Sequence, residues 1–180
     1  MDELLLYLET DIPEGVILSS LLLLSIAVVV ILLVCKDFAK ARKLVTFAML
    51  VEYLSMILAS TVVFRDAFED YRYNLTPFYS YQVQDEPVSM FWQVVLNIVL
   101  FVPVGLMLRS LTDKCRKVVA LGCLISMSIE LYQLFFRKGL CETDDVIHNT
   151  IGALIGCLLY IIINKVVDGF KKRSELPCLL

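Results

Sequence analysis

The sequence predicts an all-α, polytopic transmembrane helix bundle of about five spans, with the N-terminus outside and the C-terminus cytoplasmic. Three observations predict it. Of the 180 residues, 59% are hydrophobic, and the mean hydropathy of +0.79 lies far above that of a soluble globular chain. The apolar residues come in long unbroken runs, not in the alternating segments of about ten that build a transmembrane barrel. Lys and Arg concentrate in every second connection, as they do in a chain that crosses a bilayer repeatedly.

The first run, Val16 to Val34, is long enough to cross a hydrocarbon core of roughly 30 Å. It is preceded by Asp2, Glu3, Glu9, Asp11 and Glu14, all acidic, so the positive start of a cleaved signal peptide is missing and the span is expected to stay. Four more runs follow: Leu44–Phe64, Phe91–Leu108, Val118–Phe136 and Val146–Ile163. No internal repeat divides them, and residues 1–180 read as a single integral membrane domain.

The connections orient the bundle. Lys36, Lys40, Arg42 and Lys43 follow the first run, Arg109, Lys114, Arg116 and Lys117 the third, and Lys165, Lys171, Lys172 and Arg173 lie in the tail, twelve in all. The other side carries only Arg65, Arg72, Arg137 and Lys138. This asymmetry places the tail in the cytoplasm. The second connection is long and rich in Phe and Tyr, which suits the headgroup belt of the outer surface. The six cysteines, Cys35, Cys115, Cys123, Cys141, Cys157 and Cys178, read as isolated thiols, with no CxxC and no His at metal spacing. Membrane lipids are the expected surroundings, and no nucleic-acid partner is expected of a chain of net charge −3 with no binding motif.

Polar residues inside the apolar runs carry the functional signal. A carboxylate near a bilayer centre costs roughly 2.5–3.5 kcal/mol on insertion scales, so something must solvate, protonate or pair Glu130. Glu130 and Gln133 are i and i+3 on the fourth run, roughly 9 Å below its outer end. Asn97 lies at similar depth on the third, and Asp144, Asp145, His148 and Asn149 open the fifth. A hydrogen bond from Gln133 or Asn97 is the structural explanation for Glu130, and helix capping that for Asp144. Asp145, Asn149, Gly152 and Gly156 form one stripe at i, i+4, i+7 and i+11. Its glycines allow close helix packing, and the short fourth connection makes the fourth helix the expected neighbour. Glu52 is a second buried acid with no partner apparent in the sequence, Arg65 being a distant candidate. No Ser-His-Asp pattern, phosphate loop, HExxH or Cys/His zinc pattern is present.

At these residues the chain resembles the VanZ-like family of small bacterial membrane proteins. The resemblance is carried by Arg65 with Asn74–Phe78, by NIVLFVPVG at Asn97–Gly105, by SIELYQ at Ser128–Gln133, and by DDVIHNTIGALIG at Asp144–Gly156, so it covers about residues 65–156. It implies a multi-pass protein of the bacterial cell membrane and a role in the cell envelope, with reduced susceptibility to teicoplanin-type lipoglycopeptides. Combined with the residues, the expectation is an outward-facing intramembrane pocket of Arg65, Asn74, Asn97, Glu130, Gln133, Asp144, Asp145 and Asn149, with Gly152 and Gly156 packing the helices. Its ligand would be a lipid-linked cell-wall precursor or the lipoglycopeptide itself. The alternative is an enzyme acting on polyprenyl or phospholipid phosphates with Mg²⁺ or Mn²⁺ held by Asp144, Asp145 and Glu130, since hard cations take carboxylate oxygens. The non-enzymatic reading is preferred, because the sequence supplies no catalytic constellation.

Overall fold

A computed structural model describes residues 12–79, 81 and 87–174. Asp2, Glu3, Glu9 and Asp11 of the acidic start, part of the second connection, Glu175 and Cys178 lie outside the described residues.

Among the described residues five helices are long and apolar enough to cross a membrane, and the chain is a multi-pass membrane protein. Helix α1 is Glu14–Val34. Helix α2 is Phe38–Leu58 and continues into a single π-helical turn at Ala59–Val63. Helices α3, α4 and α5 are Pro87–Leu111, Cys115–Phe136 and Thr143–Ser174. They extend past the apolar runs into the basic connections, because backbone hydrogen bonding continues where hydropathy falls. The Asp37 carboxylate starts α2 by accepting the N–H groups of Ala39 at 2.8 Å and Lys40 at 3.3 Å.

Close packing concentrates on α3 and α5. A Cβ on Gly152 or Gly156 would collide with the carbonyl oxygens of Ile98 and Val102, and one on Gly105 with that of Ala153. Here the two backbones touch directly, as small residues permit in lipid, where packing and not hydrophobic burial holds helices together. The glycines of the stripe therefore face α3, not the α4 neighbour expected from the short connection. Helix α4 instead meets Ala153, whose Cβ fills the space at Gly122. The core comprises Leu50 and Ile57 of α2, Phe101 and Val104 of α3, Val118 and Ile129 of α4, and Ala153 and Cys157 of α5. No residue of α1 is buried. Pro103 withdraws an N–H from the interior of α3, and one turn earlier the Tyr53 hydroxyl donates to the Leu100 carbonyl at 2.9 Å.

One end of the bundle carries the only strands among the described residues, a feature absent from the all-helical expectation. Strand β1, Arg72–Asn74, lies in the α2–α3 connection and β2, Leu140–Glu142, in the α4–α5 turn. They pair in parallel, with Tyr73 opposite Cys141 and Asn74 opposite Glu142. Helix α4 ends at Arg137, which takes a left-handed conformation (φ 56°). The N–H groups of Arg137 and Lys138 return to the carbonyls of Leu134 and Gln133. The Arg137 carbonyl then accepts the Phe68 N–H at 2.7 Å, tying the long connection to the end of α4.

Candidate functional site

The buried face of α4 at this end carries Ser126, Ile129, Glu130 and Gln133, spaced i, i+3, i+4 and i+7. Glu130 is 4% exposed. Its Oε2 accepts the Glu142 N–H at 3.0 Å, so its partner is the backbone of β2 and not Gln133 or Asn97. The α4–α5 turn brings that N–H across the end of α4, an arrangement no spacing rule within a helix encodes.

Helix α3 contributes two amides one turn apart. Asn97 Nδ2 donates to Asp145 Oδ1 at 2.6 Å, and Gln93 Nε2 to Glu142 Oε2 at 3.2 Å. Between α5 and α4, Asn149 Nδ2 donates to Ser126 Oγ at 2.9 Å. Glu130, Glu142 and Asp145 are within electrostatic reach of one another, and the exposed Arg65 lies within reach of Glu130 and Asp145. In the turn outside the spans, burial and then the carboxylates of Glu130, Asp145 and Glu142 push the Cys141 thiol pKa up.

The long connection covers the cluster. Asp144 Oδ1 accepts the N–H of Phe78 at 2.5 Å, with Phe78 itself left-handed at φ 62°. The Tyr81 hydroxyl lies 2.7 Å from His148 Nε2, donating or accepting according to the imidazole tautomer. Burial, and then Asp144, raise the Tyr81 pKa and keep that hydroxyl protonated. His148 is therefore a buried contact of the cover. The Asn74 side chain accepts the Thr76 N–H at 3.3 Å and caps its own turn, while its backbone joins β1.

Of the sequence-predicted residues, Asn97 and Asp145 meet directly, Glu130 and Asn149 engage β2 and Ser126, and Asp144 holds the cover. Gln133 is buried on the Glu130 face. Asp144 and Asp145, adjacent on α5, diverge to Phe78 and Asn97, and among the described residues no group of three or more His, Cys, Asp or Glu side chains is placed to hold a metal. Glu52 Oε1 is buried with no hydrogen-bond partner, so the Arg65 pairing is not made.

Sequence reasoning passed over Ser126, Gln93, Glu142 and the Tyr81–His148 pair. Ser126 lies one turn before Glu130 and Gln93 one turn before Asn97, so helical spacing carried a signal for both. Glu142 had none, because its position depends on pairing with β1. The described cysteines are free thiols, as expected, but at the opposite end those of Cys115 and Cys157 lie 2.7 Å apart and so are not isolated from one another.

A multi-pass helical bundle with a loop-covered polar cluster buried between α3, α4 and α5 is the class of protein that the fold and site define. The sequence profile of the VanZ/LLP1 family matches residues 21–164, and the chain belongs to that family. The match reaches into α1 and α2, beyond the motif region of residues 65–156. The chain is 31% identical over 100 residues to Protein VanZ of Enterococcus faecium, covering 54% of this chain and 58% of that protein. No solved structure matches.

Proposed function

We propose that the polar cluster is an outward-facing site for a lipid-linked envelope component or a lipoglycopeptide, through which the protein lowers susceptibility to teicoplanin-type drugs in a bacterial cell membrane. The phenotype comes from the family resemblance. The observation that carries the reading is the convergence of Asn97, Glu130, Asp145, His148 and Asn149 beneath the covering connection, with His148 Nδ1 and Asn149 Oδ1 buried and lacking any hydrogen-bond partner. A buried polar atom left without a partner costs about 1–3 kcal/mol. A polar ligand group supplies the missing partners, and displacing the connection through its Phe78 and Tyr81 contacts provides entry.

Glu130→Gln and Asp145→Asn preserve side-chain volume while removing charge. Each is expected to return teicoplanin susceptibility of producing cells toward that of cells lacking the protein, at matched protein levels. Susceptibility unchanged in both variants would remove the cluster from the function.

A further inference from the structure

Helix α4 carries a second stripe that the polar cluster does not use. Ser128, Leu131, Tyr132 and Phe135 are again spaced i, i+3, i+4 and i+7, offset by two residues and hence about 200° from the Glu130 face. Tyr71 and Tyr73 of the β1 segment lie alongside it and complete a groove of about 740 Å³ with an almost wholly apolar lining. From Ser128 to the end of α4 the groove runs roughly 12 Å along the helix. Phe136 is the last residue of α4 in the lining, and Arg137, which follows it, caps the helix.

The charge just beyond this end of α4 is not neutralised by its contacts. Arg137 Nη1 donates to the Glu69 carbonyl at 2.9 Å, and its guanidinium lies 5.8 Å from the centre of the Tyr71 ring. Lys138 Nζ donates to the Val63 carbonyl at 3.2 Å. A carbonyl and a ring face orient a cation without cancelling its charge. An apolar groove bordered by Arg137 through the Tyr71 ring, with Lys138 the next residue along the chain, complements a hydrocarbon chain with a phosphate at its head.

We propose that this groove binds an anionic phospholipid of the adjoining leaflet, one chain lying on the α4 stripe beside Tyr71 and Tyr73 and the phosphate meeting Arg137 and Lys138. A zwitterionic phospholipid fits the channel equally but brings a compensating ammonium to the cations, so the selectivity resides in the headgroup. The site faces away from Glu130, and its failure would leave the reading above untouched.

The test uses the full chain in phosphatidylcholine vesicles holding a trace of phosphatidylglycerol, or of phosphatidylcholine, with a photoreactive group in one acyl chain. Labelling of the 128–136 segment is expected to favour phosphatidylglycerol by about fivefold for each contributing cation. Arg137→Gln, which retains a donor for the Glu69 carbonyl, and Lys138→Gln are each expected to reduce that preference. Leu131→Trp fills the groove and is expected to abolish labelling there, while Leu23 on the outer face of α1 is labelled equally by both probes. Equal labelling of the α4 stripe by both lipids, or labelling that survives Leu131→Trp, would mean annular lipid only and overturn the proposal.

Discussion

The Asn97 amide holds a carboxylate that faces two others, so the value of that hydrogen bond lies mostly in what its removal would leave behind. Asn97→Leu strands the partly buried Asp145 oxygen now met at 2.6 Å and is expected to destabilise the protein by about 1–3 kcal/mol. In Asn97→Leu with Asp145→Leu both polar partners are gone, and much of that loss is expected to be recovered. Thermal unfolding in a mild detergent measures both variants. A double variant no more stable than the single one would show that Asn97 acts through packing and not through Asp145. The identities of these two residues were legible in the sequence, because Asn97 inside an apolar run advertises its cost and Asp145 heads a polar stripe. Their pairing was not, since it joins α3 to α5 across 48 residues.

At the scale of elements, α3 and α5 are joined by contacts that leave no room for a side chain. Gly152→Leu and Gly156→Leu drive a Cβ into the backbone of Ile98 and Val102, and each is expected to cost about 3 kcal/mol or to prevent folding. Gly169 has open space around it, so Gly169→Ala is expected to be neutral or to stabilise by up to about 1 kcal/mol through helix propensity. Detergent-solubilised yield and unfolding temperature separate the two cases. The glycine stripe was visible as a spacing pattern, but the pattern names a face and not its neighbour. A short connection makes α4 and α5 consecutive in the chain, whereas the closest approach goes to α3, whose own Gly105 is open to Ala153. The strands were illegible for a similar reason. Three residues each, they exist only through pairing between distant connections, and neither Arg72–Asn74 nor Leu140–Glu142 alternates like an isolated strand.

Across the whole molecule, the number of spans was readable because runs of about twenty apolar residues have few other uses. The distribution of Lys and Arg sets an expected orientation with the polar cluster on the outer side. In a background lacking the native cysteines, Asp66→Cys is expected to react with a membrane-impermeant maleimide in intact cells, and Asp113→Cys only after permeabilisation. The reverse pattern would place the cluster in the cytoplasmic half and end the proposal of direct access to extracellular drug.

The parallel pairing of β1 with β2 also bears on how the chain is made. Residues 72–74 leave the ribosome well before residues 140–142. Helix α4 ends at Phe136, six residues before the Glu142 N–H that donates to Glu130. The Glu130 bond can form only once the α4–α5 turn has followed α4 out of the ribosome, and this end of the protein can close only after the last helix has begun to emerge.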